Sequence, residues 1–213
     1  MSEPKREVPP VLQKLLKYDA YITNQFVTWT RTILPLNTFR VHYKALEISC
    51  HGIPWFAFWI AFSWLFNNPH LVQMQVNILF GLIIDIIAIA VIKAYVRRRR
   101  PTANVDDMMG QMGPDVFSFP SGHASRAIFV AYFFIRLWPV HFIFHLPLIS
   151  WALGVSISRL LLNRHYIGDI LAGCLLGVLE GLVIELLWVE DSTARWLFNV
   201  ISDEKLDGGD YHV

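Results

Sequence analysis

The sequence predicts an all-α, polytopic membrane protein: a helix bundle of about five spanning helices, preceded by an N-terminal helix lying in the membrane surface. Three observations lead there. Of the 213 residues, 54% are hydrophobic and only 16% charged, against the roughly 25% charged that is usual for soluble domains. Five apolar stretches approach the roughly 20 residues that a helix needs to cross a bilayer. Before them, KLLKYDAYITNQFVTWTRTIL mixes apolar and polar residues at helical spacing, which suits a helix bound at the interface rather than one passing through it.

The elements follow in order. Residues 1–15, polar and proline-containing over 1–10, read as a flexible N-terminus; the lack of an apolar core followed by a small-residue cleavage site predicts no cleaved signal peptide. Residues 16–190 form the integral membrane domain. Its spanning helices are predicted at Ala45–Phe66, Leu71–Val96, Ala124–Trp138, Phe142–Leu162 and Ile167–Val189. The second closes on RRRRP, because Pro101 pushes the residue before it out of helical geometry. The third is short, contains Arg136 and meets Pro139, so it is expected to borrow its first turn from the SFPSGHAS stretch at 118–125. Residues 191–213, ending in SDEKLDGGDYHV, read as an acidic, flexible tail.

Composition excludes several function classes. The net charge of +1 and the absence of a basic block outside 97–100 give no reason to expect a nucleic-acid partner. Cys50 and Cys174 form no C-x-x-C pair, so neither a zinc site nor a disulfide framework is expected. There is no carboxylate cluster for magnesium and no G-x-x-x-x-G-K-[ST], so no metal and no cofactor is expected. No oligomeric state is implied.

If helices two to five cross in succession, the end of the second, the start of the third, the end of the fourth and the start of the fifth share one membrane face. Every unusual polar cluster lies at one of those places. Lys93 and Arg100 are seven residues apart, nearly two helical turns, so two long cations fall on one face. Arg97, Arg98 and Arg99 read instead as anchors at anionic headgroups. In SFPSGHAS, Pro120 and Ser121 suit a helix start, and Gly122 suits close backbone approach. A capped helix and an anion cradle both fit these residues taken alone. His165 and Asp169 are four apart, neighbours if both are helical, and a carboxylate beside an imidazole makes its other nitrogen a better nucleophile or base. Arg159 adds a cation. Clustered cations, helix-terminal amides, two histidines and a carboxylate suit phosphoryl transfer, and their shared face favours the cradle reading of SFPSGHAS. Asp85 and Glu180, within the second and fifth helices, read as helix-packing groups.

Lys93-x6-Arg100-Pro101, Pro120-Ser121-Gly122-His123 and Ser158-Arg159-x5-His165-x3-Asp169 resemble the three signature motifs of the type 2 phosphatidic acid phosphatase family, the lipid phosphate phosphatases. ISCHGIPW, VRRRRPTAN and FPSGHASRA further resemble its polyisoprenoid diphosphate (presqualene diphosphate) phosphatase branch, over residues 16–188. The resemblance implies metal-independent hydrolysis of a lipid phosphate or diphosphate. His165 would attack phosphorus to form a phosphohistidine, Asp169 would orient it, and His123 would protonate the leaving oxygen. Lys93, Arg100, Ser121, Gly122 and Arg159 would hold the phosphate. A catalytically silent scaffold of the same family and a lipid phosphotransferase are the alternatives. Lys5, Arg6, Lys14, Lys17, Arg31, Arg40 and Lys44 lie on the motif side if the first helix crosses, so positive-inside reasoning puts the site in the cytosol, with the endoplasmic reticulum or nuclear envelope as the default membrane.

Overall fold

The computed structural model describes residues 9–33, 36–66, 68–102 and 116–201. Among them lie eight α-helices: α1 (Pro10–Ile33), α2 (Leu36–Ser49), α3 (Gly52–Leu65), α4 (Val72–Val96), α5 (Gly122–Tyr132), α6 (His145–Leu161), α7 (Ile167–Leu186) and α8 (Asp191–Ile201). A π-helical turn, Phe133–Leu137, prolongs α5, and a 3-10 turn, Phe142–Phe144, leads into α6. The all-α expectation holds.

The number of spans differs from the five expected. Three helical segments are long and apolar enough to cross a bilayer, namely Val72–Val96, Phe142–Leu161 and Ile167–Leu186; the pair Val41–Ser49 and Gly52–Leu65 makes a fourth if its 52° bend lies within one span. The expected first helix is therefore broken at Cys50–His51. Pro54 explains the break: it has no N–H to give to the Cys50 carbonyl four residues back, and its ring would clash there. The freed Cys50 carbonyl instead accepts from Arg126 Nη1 at 3.0 Å. The expected third span is α5 with its π-turn, at most about 24 Å of helix, short of a hydrocarbon core of about 30 Å. It carries the buried Arg126, and Phe129 and Phe133 are fully covered, so α5 is the inner post of the bundle rather than a lipid-facing span.

α5 packs against α7 through a stripe of glycines on α7. A Cβ on Gly173 would come within 2.5 Å of the Ser121 carbonyl oxygen, and one on Gly177 within 2.3 Å of the Ser125 carbonyl oxygen. Side chains there would push the two backbones apart, and with them the start of α5 that carries the polar motif. The apolar core lies further along the bundle, around Trp59, Ile78, Leu82, Phe129, Val130, Phe133 and Ile184.

Parts of the two expected flexible segments, residues 10–15 and 191–201, are helical. α1 is amphipathic, as expected of an interfacial helix, but begins at Pro10 and docks on the bundle by burying Thr23, Val27 and Thr30. Residues 191–201, expected as tail, form α8, with Ala194 fully buried and a packing contact on α4. The remainder of the expected flexible ends, residues 1–8 and 202–213, lies outside the described residues.

Candidate active site

Two loops, one joining α4 to α5 and the other α6 to α7, meet at one end of the bundle. Backbone bonds tie them together: Ser118 N–H donates to the Arg98 carbonyl at 2.8 Å, and Ser121 N–H to the Asp169 carbonyl at 3.1 Å. The common face inferred by counting helices is thus a physical junction.

His165 sits in the α6–α7 loop and is 1% exposed. Its Nδ1 lies 2.8 Å from the Ser118 carbonyl oxygen. A carbonyl can only accept, so Nδ1 carries the proton and Nε2 keeps its lone pair. Asp169 Oδ2 is 3.8 Å from Nδ1, beyond a hydrogen bond, so the orienting partner is Ser118. The reason is local. Tyr166 is the N-cap of α7, which leaves His165 outside the helix, where the four-residue spacing rule does not apply. Asp169 is the N3 residue, and its Oδ2 accepts from Tyr166 N–H at 2.9 Å in a capping box.

Arg98, read from sequence as a headgroup anchor, is part of this junction. Its Nη1 lies 2.7 Å from Asp169 Oδ1 and its Nη2 2.8 Å from Asp19 Oδ2, while its guanidinium stacks 4.0 Å above the Tyr166 ring. Asp19 also accepts from Gly168 N–H at 2.9 Å, which fastens α1 to the start of α7. Four consecutive arginines look alike in a sequence; only the fold selects Arg98 for the buried carboxylate.

The expected phosphate-binding residues are placed as follows. Arg159, 1% exposed, has Nη1 2.7 Å from Glu47 Oε1 on α2, and its Nε is buried with no hydrogen-bond partner among the described residues. Arg100 lies within electrostatic range of His165. Lys93, 2% exposed, occupies the last turn of α4. Ser121 is the N-cap of α5, accepting from Ala124 N–H at 3.4 Å. A Cβ on Gly122 would press on Ile89 at 3.3 Å, so this glycine also lets α5 pack closely on α4. His123 lies within electrostatic range of Arg159, Arg126, His165 and His51, and its Nε2 is buried without a hydrogen-bond partner among the described residues. Among those residues no group of three or more His, Cys, Asp or Glu side chains is arranged to hold a metal ion.

Below this layer, α4, α5 and α7 share a buried ionic cluster. Arg126 Nη2 meets Asp85 Oδ2 at 2.5 Å, and Ser125 Oγ donates to Glu180 Oε2 at 3.0 Å. Asp85 and Glu180 are helix-packing groups here, as their depth suggested, with Arg126 as the unforeseen partner.

A family profile described as the PAP2 superfamily matches residues 75–192, more than half of the chain. The chain belongs to the PAP2 superfamily. The probable lipid phosphate phosphatase beta of Arabidopsis thaliana is 33% identical to this PAP2 chain over 193 aligned positions, taking in 79% of this chain and 87% of the relative. The lipid A 4'-phosphatase of Bacteroides thetaiotaomicron is 37% identical over 65 residues, 30% of this chain and 28% of that protein. A solved structure, the first transmembrane PAP2-type phosphatidylglycerolphosphate phosphatase from Bacillus subtilis, matches 80% of this chain and 96% of its own at 21% identity and a TM-score of 0.43. This PAP2 protein is an integral membrane homologue of lipid phosphate phosphatases.

Burial lowers the His165 pKa to about 4, with Arg159 and Arg100 acting in the same direction against the opposing pull of Asp169. A nucleophilic Nε2 needs its lone pair, which protonation removes as pH falls through that value. The acid limb of kcat/KM for phosphate release should therefore lie near pH 4, well below the 6.5 of a free imidazole. An acid limb at 6.5 or above would show that this ring is not the group that must stay neutral.

Proposed function

We propose that this protein is a membrane lipid phosphatase that removes the terminal phosphate of polyisoprenoid diphosphates such as presqualene, farnesyl and geranylgeranyl diphosphate, and also acts on phosphatidate-type monoesters. The observation that carries this reading is the pairing of His165 with Ser118. It leaves the Nε2 lone pair available, within electrostatic range of Arg159, Arg100 and His123.

His165 Nε2 forms a bond to phosphorus as the bond from phosphorus to the leaving oxygen breaks; that oxygen takes its electron pair and a proton from His123. Arg159, Arg100 and Lys93 stabilise charge on the equatorial oxygens. Glu47 keeps Arg159 oriented until a phosphate takes its place. His123, now a base, draws a proton from water, which cleaves the phosphohistidine.

An alcohol leaving a monoester needs a proton more than a phosphate leaving a diphosphate does. His123→Ala should therefore cost farnesyl phosphate hydrolysis about tenfold more than farnesyl diphosphate hydrolysis, with both assayed in chelator on purified protein. Equal losses would remove His123 from the acid role, and no release from any isoprenoid lipid would remove the substrate class.

The site would face the cytosol from the endoplasmic reticulum or the contiguous nuclear envelope, since a crossing first helix leaves the basic N-terminal segment on the side of the motifs. In sealed microsomes, cysteines placed singly at Arg97 and Arg99 should react with an impermeant maleimide added outside. Labelling only after permeabilisation would reverse the sidedness.

A further inference from the structure

The α2–α3 elbow, which lies in ISCHGIPW and outside the three signature motifs, supplies a wall of the site. It is tied to the start of α5 at two points: the Cys50 carbonyl accepts from Arg126 Nη1 at 3.0 Å, and Cys50 Sγ donates to the His123 carbonyl at 3.4 Å. The Arg126 guanidinium also lies against Gly52, 3.4 Å from where a Cβ would stand. Held this way, His51, the N-cap of α3, places its ring centroid 5.9 Å from that of His123, edge to face at 67°. Glu47, one turn earlier, reaches Arg159. All of these elbow residues precede residue 75, where the match to the family profile begins.

Two adjacent imidazoles suit one kind of leaving group better than another. An alcohol departing from a monoester presents one oxygen to be protonated. The inner phosphate departing from a diphosphate presents the bridging oxygen and, close beside it, charged non-bridging oxygens. His123 serves the first of these, and the His51 ring lies beside it for the second.

We infer that His51 is a specificity-determining residue, donating a hydrogen bond from its ring to a non-bridging oxygen of the departing inner phosphate and so favouring diphosphates over monophosphates. The inference rests on the diphosphatase reading of the site. In the step itself, the Nε2–phosphorus bond forms at His165 and the bond from outer phosphorus to bridging oxygen breaks. The bridging oxygen takes its electron pair and the His123 proton; His51 keeps its own proton throughout and lowers the charge that its neighbour must neutralise.

The test compares kcat/KM for farnesyl diphosphate and farnesyl phosphate in wild type, His51→Ala and His51→Gln, with thermal unfolding in detergent as a check on the fold. A hydrogen bond to a charged group is worth about 1.5–3 kcal/mol, so His51→Ala should lower the diphosphate-to-monophosphate ratio about ten- to a hundredfold. His51→Gln, which keeps an N–H donor, should restore part of it. A ratio unchanged in both variants, or equal losses on both substrates, overturns the role of His51 while leaving the diphosphatase reading intact. A wild-type enzyme that cleaves the monophosphate but not the diphosphate overturns that reading, and the role of His51 with it.

Discussion

His165→Ala should abolish turnover, lowering kcat for lipid phosphate release by about a thousandfold or more, while the protein still folds and binds membranes. The effect is this large because the variant removes the nitrogen proposed to bond to phosphorus, and no second nucleophile among the described residues is held in the same way. Asp169 is occupied by Arg98 and by the Tyr166 N–H. Ser121 Oγ caps α5 by accepting from the Ala124 N–H. Phosphate release assays in chelator, with unfolding midpoints in detergent alongside, separate this from a loss of fold. A variant retaining a tenth of wild-type activity would place the nucleophile elsewhere; a wild-type protein inactive on every lipid phosphate would point to the scaffold alternative.

The second large effect concerns stability. Arg126→Met should destabilise the bundle by about 3–5 kcal/mol, the usual cost of leaving one member of a buried ion pair behind. Arg126 is almost wholly buried, and its partner Asp85 is completely so. Its removal strands that carboxylate near Glu180, and it also strips the Cys50 carbonyl of the donor that replaces the helical bond lost at Pro54. Denaturant unfolding in mixed micelles measures the loss. Adding Asp85→Leu to Arg126→Met should recover much of it, because an apolar pair of similar volume leaves no orphaned charge. Equal midpoints for wild type and Arg126→Met would show that the cluster contributes little.

What was legible in the sequence follows from how local each signal is. α4, α6 and α7 lie within a few residues of their expected bounds, because a long apolar run surrounded by polar residues is a local property. The short third helix and its first turn inside SFPSGHAS were readable for the same reason. The elbow at Cys50–His51 was also marked locally, by Pro54, but hydropathy averaged over twenty residues runs through it. Pairing was the harder part. Arg98 meets both Asp169 and Asp19 only because two loops and α1 converge, and no periodicity within one helix encodes that convergence. Ser118 opens the polar stretch SFPSGHAS, yet its contribution is a backbone carbonyl, which the identity of a side chain does not announce.

The central claim is that the His165 imidazole, its Nδ1–H held by Ser118, takes the phosphoryl group on Nε2. Rapid quenching of the enzyme with farnesyl diphosphate labelled in its terminal phosphate tests it most directly. The account predicts a protein-bound label that is stable in base, labile in acid, mapped to His165 and absent from His165→Ala. Turnover without any covalent label, or a label mapped to another residue, would contradict it.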